Sequence, residues 1–281
     1  MDILTNILFS VKALAKAALL SRPCSRINGM AEGKRILILA NGPSLSDTIR
    51  NNSVFLKSAP SLAVNFAAIA DDFRELKPRY YVLADPHFFN KASVDPNLKK
   101  LRESLDAIDW KMTLFVPVKF KKAARALYGN KADLKTFNNI GAEGLPLITH
   151  FLFRVGAAMP RPRNVLIPSL MLAINMGYKE IIIFGADHSW MKTLSVTDEN
   201  EVVSIQPHFY KDGEDEQNRI RHEYRNYRLH QIVESFAIAF KSYHDIANFA
   251  DSKNVKIFNS TPGSFIDAFE RRPVSELENH I

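Results

Sequence analysis

Six short apolar runs, each breaking off into small or polar residues, constrain this chain more than any other feature. Arg35-Ile36-Leu37-Ile38-Leu39-Ala40 stops at Asn41-Gly42-Pro43-Ser44, and Ser61-Leu62-Ala63-Val64 stops at Asn65. Tyr80 to Ala84 runs into Asp85-Pro86, and Met112 to Val116 into Pro117. Ile181 to Phe184 meets Gly185-Ala186-Asp187-His188, and Val255 to Phe258 meets Asn259-Ser260-Thr261-Pro262-Gly263. Runs with little alternation suit strands covered on both faces. Separated by helical stretches, they predict an α/β fold: a Rossmann-like, mostly parallel sheet flanked by helices.

In such sheets a ligand binds beyond the C-terminal ends of the strands, where the strand order reverses. Asn41, Asn65, Asp85, Asp187 and Asn259 would all stand on that edge, and a shared cleft explains five such residues better than turn punctuation does. In the first turn, Asn41 offers an amide and Gly42 lets a ligand approach the backbone with no Cβ in the way. Ser44 can cap a following helix whose free N–H groups attract an anion. Asn, Gly, Pro and Ser are equally common in ordinary turns, so this stretch alone does not separate the two readings.

Residues 3–20 predict a helix with Ile3, Ile7, Val11, Leu14 and Ala18 along one face and Pro23 beyond its end. Lys12 and Lys16 interrupt the apolar run, which argues against a membrane span. With Arg22 and Arg26 they suit an interfacial helix on an anionic membrane, while a helix docked on its own domain or on a second subunit shows the same stripe. Residues 1–33 thus read as an N-terminal helix and linker, and 34–281 as one Rossmann-like domain. The single cysteine, Cys24, excludes an intramolecular disulfide and a cysteine-built zinc site, and fits a cytoplasmic protein at the inner face of the membrane. The net charge of +7 implies an anionic partner, but the basic residues are dispersed, so nucleic acid ranks low.

Two segments leave the alternation. Residues 118–163 read as helical, with a turn at Asn138-Asn139-Ile140-Gly141. The stretch from about 188 to 218, carrying Trp190 and Pro207-His208-Phe209-Tyr210, reads as a lid, and a long helix from about 220 to 252 follows. Walker, dinucleotide and Gly-x-Ser-x-Gly motifs are missing, as is metal-type histidine spacing. An Asn- and Asp-rich cleft with a histidine-bearing lid suits transfer of a nucleotide-activated group to a hydroxyl. That reaction needs a base for the acceptor and donors for the departing phosphate. His208 is the first candidate base and His188 the second. Tyr210, Arg161 and Arg163 are candidates for the leaving phosphate. Asp85 and Asp187 can bind a divalent cation or accept bonds from sugar hydroxyls.

Asn41-Gly42-Pro43-Ser44-Leu45 after a first strand resembles the opening of the bacterial CMP-sialic-acid sialyltransferases and of the related 6-hydroxymethylpterin diphosphokinase MptE-like domain. Ala173 to Ile181 followed by Gly185-Ala186-Asp187 is similar to the helix–strand–Gly-x-Asp segment of both. The resemblance covers about residues 34–270. It implies a GT-A-variant fold, a nucleotide held by Asn41, Gly42, Pro43, Ser44 and Asn65, and a lid with tyrosines such as Tyr210 and the catalytic histidine. Pro262-Gly263-Ser264 matches a turn that approaches the nucleotide, and Asn164 falls near the serine that holds the donor carboxylate. The sialyltransferases have asparagine in place of Asp85, where an aspartate would repel a donor carboxylate. Asp85 there looks more like the MptE-like branch. The sialyltransferase route implies a nucleotide-sugar donor, a glycan or glycolipid acceptor and no metal; the MptE-like route implies ATP and magnesium. A homo-oligomer is compatible with either.

Overall fold

In the computed structural model, residues 3–129, 131–204 and 227–277 are described. These residues form ten strands: β1 (Arg35–Leu39), β2 (Ser61–Val64), β3 (Tyr80–Val82), β4 (Thr113–Pro117), β5 (Asp133–Phe137), β6 (Glu180–Phe184), β7 (Leu194–Val196), β8 (Val202–Ser204), β9 (Lys256–Asn259) and β10 (Glu270–Arg271). Eight of them build one sheet in the order β10-β9-β6-β1-β2-β3-β4-β5. Every neighbouring pair in it is parallel. The remaining two, β7 and β8, pair as an antiparallel hairpin. From β1 the chain lays strands outward as far as β5, then returns to place β6 on the other side of β1. The order therefore reverses between β1 and β6.

Among the described residues the α-helices are α1 (Ile3–Leu20), α2 (Ser44–Leu56), α3 (Phe73–Leu76), α4 (Pro96–Asp106), α5 (Lys121–Tyr128), α6 (Pro146–Arg154), α7 (Leu166–Met176), α8 (Leu229–Ser252) and α9 (Val274–Leu277). They cover both faces of the sheet, which is why β1 is apolar on successive residues. Ile36 and Ile38 join the cluster that holds α7 and much of α8, while Leu37 and Leu39 pack with Leu45, Ile49 and Phe184 on the α2 side. Helix α7 is apolar all round because ten of its eleven residues are buried, and it stops at Gly177, whose φ of +108° suits glycine.

Three sequence expectations change. The segment 118–163 is not helical throughout: it holds the edge strand β5, where Asp133, Leu134 and Lys135 are not buried and so hide the strand signal. The expected lid starts with a 3-10 turn at Trp190–Thr193 and the β7–β8 hairpin, and its remainder lies outside the described residues. His208 and Tyr210 lie there too. Asn259 does not stand at the cleft: it is buried, and its Nδ2 donates to Ser264 Oγ at 2.9 Å.

Helix α1 is docked on the domain by its small residues. Ser10, Ala13 and Ala17 are buried, and Ser10 Oγ accepts from the Leu145 N–H at 2.8 Å. At its C-terminal end the Arg22 N–H donates to Asn138 Oδ1, and Asn138 Nδ2 donates back to the Arg22 carbonyl, both at 3.0 Å. Its other side is apolar and exposed.

Candidate functional site

The site begins where two strand ends interlock. Beyond β1, the Gly42 N–H donates to the carbonyl of Gly185 at 2.7 Å, continuing the β1–β6 ladder into both turns. Gly185 has φ +66°, and a β-carbon there would lie 2.8 Å from the Ala40 carbonyl. A β-carbon on Gly42 would lie 2.5 Å from the Gly185 carbonyl and overlap the carboxylate of Asp187. Both turns require glycine because the two backbones touch.

That contact corrects one expectation. Asp187 fills the side of Gly42 where a Cβ would sit, while Gly42 and Pro43 still line the adjoining cavity. Ser44 does not cap α2: the N-cap is Pro43, with no side-chain cap, and Ser44 Oγ instead donates to Asp187 Oδ2 at 2.8 Å. Asp187 therefore holds its negative charge at the start of α2, where the helix dipole favours an anion.

Beside this junction lies a cavity of about 740 Å³. Its floor comes from the turns after β1, β2, β3 and β6, through Asn41, Asn65, Asp85 and Asp187. One wall is the N-terminal half of α8, with Gln231, Glu234 and Phe236; another is the segment from Pro162 to Leu166 that enters α7. Asn139, Trp190 and Tyr227 complete the lining on other sides. Four of the five polar strand ends are thus brought together as the sequence suggested.

Three amides around this cavity carry buried atoms with no hydrogen-bond partner among the described residues: Asn41 Oδ1, Asn139 Oδ1 and Asn164 Nδ2. Two are fixed by their other end. Asn41 Nδ2 donates to the Val64 carbonyl at 3.1 Å, and Asn164 Oδ1 accepts from the Leu166 N–H at 3.0 Å and from Tyr243 Oη at 3.0 Å. Asn139 sits in the segment Asn138-Asn139-Ile140-Gly141, where its neighbour Asn138 holds Arg22.

His188 supports this array from behind. It is buried at φ +50°, with its Nε2 2.7 Å from Tyr243 Oη and its ring 4.2 Å from that of Trp190. Tyr243 Oη donates to Asn164 Oδ1, and its other hydrogen-bond partner is His188 Nε2. Burial holds the imidazole neutral, lowering its pKa to about 3 despite the opposing Ala186 carbonyl. Burial also raises the Tyr243 hydroxyl, so it stays protonated. With its ring tied to Tyr243 and its charged form disfavoured by burial, His188 is placed to hold Asn164 through that hydroxyl.

The other expected residues are placed as follows. Asn65 lines the cavity at φ +52°, a conformation asparagine tolerates better than most residues. Asp85 is exposed at the cavity, and its Oδ1 accepts from the His87 N–H at 2.7 Å. Arg163 lines the cavity and has no ion-pair partner among the described residues, whereas Arg161 faces Glu143 at 3.4 Å. Pro262 and Gly263 are exposed and Ser264 buried; none lines the cavity. Ser264 Oγ instead donates to the Ala186 carbonyl at 2.7 Å, so this turn braces the loop after β6. Among the described residues no group of three His, Cys, Asp or Glu side chains is placed to hold a metal ion.

No family model matches the chain, and no curated protein matches it. Among solved structures it is similar to the MAf glycosyltransferase from Magnetospirillum magneticum AMB-1, at 12% identity and a TM-score of 0.49 over 95% of this chain. The match covers 38% of that chain, so the present chain spans well under half of its length. A likeness this distant carries no argument about chemistry.

Proposed function

We propose that the chain is a glycosyltransferase that moves a sugar from a nucleotide-activated donor to a glycan or glycolipid hydroxyl in surface-polysaccharide assembly. The observation that carries this reading is the trio of unpartnered buried amide atoms around one cavity at the reversal of strand order. An unsatisfied buried polar atom costs about 1–3 kcal/mol. Three around one cavity favour a ligand that supplies the complementary donors and acceptors. Two acceptors and one donor on neutral amides suit a base edge and sugar hydroxyls better than bare phosphate charge.

For the donor phosphate we favour the N-terminus of α7 over that of α2, which Asp187 already neutralises. The α7 end offers Arg163 and a helix dipole with no acidic residue in the first turn. In the reaction a base takes the acceptor hydroxyl proton, a carbon–oxygen bond forms at the sugar, and the sugar–phosphate bond breaks. The nucleotide departs with the electron pair, its charge met by Arg163. Asp85, exposed at the cavity, is the base we favour within the described residues. We place the reaction at the inner face of the cytoplasmic membrane.

One observation favours a second reading, an MptE-like diphosphokinase. Asp85 and Asp187 both line the cavity, and among the described residues the carboxylate of Asp85 accepts from the His87 N–H and that of Asp187 from Ser44 Oγ. Two such carboxylates completed by substrate phosphates are a common magnesium arrangement, and the ion would neutralise charge on the transferring group. Chromatography of nucleotide products separates the readings. Release of nucleotide from a CMP-, UDP- or GDP-sugar in the presence of a chelator supports the glycosyltransferase. Consumption of ATP alone, and only with magnesium, overturns it.

A further inference from the structure

We propose that α1 and α6 together form a docking face that lies flat on an anionic lipid bilayer. The inference rests on the membrane placement given above, and not on the chemistry of the cavity. The outer side of α1 exposes Leu4 (78%), Leu8 (54%), Val11 (58%) and Leu19 (71%). Helix α6 packs against α1 near Ser10 and adds Leu147 (82%), Phe151 (57%) and Val155 (54%), spaced four residues apart. An apolar face of this extent needs a cover.

Charge selects the cover. Residues 3–31 carry Lys12, Lys16, Arg22 and Arg26 and no acidic residue, and α6 carries Arg154 and none either. Exposed cations flanking a wide apolar face fit phospholipid head groups above acyl chains. A second copy of this chain fits worse, because a two-fold contact through the same face sets Lys12 and Lys16 against their like.

Packing selects the orientation. Helix α1 is long and apolar enough to cross a membrane by length and composition. Crossing would strip Ser10, Ala13 and Ala17 from the domain and break the paired Arg22–Asn138 bonds. Lying in the interface keeps both. Asn138 adjoins the cavity-lining Asn139, so the docking face is fastened to the same edge of the sheet as the cavity, where a lipid-borne acceptor would arrive.

The test is co-flotation of the full chain with vesicles of phosphatidylcholine alone or of phosphatidylcholine with phosphatidylglycerol. Binding is expected to the anionic vesicles and to weaken with salt. The pair Leu147→Ser, Phe151→Ser should abolish it, and Lys12→Glu with Lys16→Glu should weaken it at least roughly thirtyfold. Circular dichroism and the cavity's nucleotide-induced melting shift report folding, so lost docking is distinguished from lost structure and from a failed transferase reading. Equal binding to both vesicle types, binding unchanged by the α6 variants, or a stable dimer that the α6 variants split would each overturn the proposal.

Discussion

The carboxylate of Asp187 lies against the bare Cα of Gly42, with Ser44 Oγ 2.8 Å from its Oδ2. This contact joins the two strand ends between which the sheet order reverses, and it closes the α2 terminus to ligand anions. Gly42→Ala should therefore destabilise the fold by about 1–3 kcal/mol, the usual cost of overpacking. Urea denaturation of Gly42→Ala, Asp187→Ala and the double variant checks it. The double variant should lose less than the sum, because removing the carboxylate relieves part of the overlap.

Tyr243→Phe removes the hydroxyl between His188 and Asn164. It leaves a buried imidazole nitrogen without its partner, for an expected loss of about 1–3 kcal/mol in denaturation. Nucleotide affinity should fall as well, since Asn164 then keeps only the Leu166 N–H to orient it. Unchanged affinity would mean that Asn164 does not meet the ligand.

His188 also makes stability depend on pH. Its folded pKa, lowered by burial to about 3, lies below the ordinary 6.5. Below pH 6.5 the unfolded chain takes a proton that the folded one refuses, so the stabilisation is complete above 6.5 and is lost as pH falls toward 3. The slope for one such group reaches about 1.4 kcal/mol per pH unit. Carboxylates titrate in the lower part of this window, so the informative quantity is the difference between the wild type and His188→Gln. That difference should shrink from pH 7 to pH 5 in urea titrations.

The strands that the sequence revealed are those covered on both faces, such as β1 and β6, where every second residue meets a different helix layer. Strand β5 escaped because an edge strand with Asp133 and Lys135 has a polar surface to present. The convergence of Asn41, Asn65, Asp85 and Asp187 was legible, since parallel strands put their ends on one edge. The partners of those residues were not. Ser44 looked like a cap because caps are local, yet its partner Asp187 is 143 positions away. Pro262-Gly263-Ser264 resembled a ligand turn, but Ser264 is used up inside the protein. Asn139 carries no local sign that it lines the cavity; only the fold brings it there.

Asn139 gives the most direct measurement of the central claim, that unpartnered amides are retained for a nucleotide ligand. Melting curves would be recorded for wild type and Asn139→Ala with CMP, UDP, GDP and ATP, each with and without magnesium. A nucleotide at a hundred times its dissociation constant should stabilise the wild type by about 2.7 kcal/mol. The account predicts that one nucleotide raises the wild-type melting point without magnesium. In Asn139→Ala that rise should shrink, while the ligand-free melting point stays unchanged or increases as an unsatisfied buried atom is removed. A rise of equal size in both proteins, or none with any nucleotide, would contradict it.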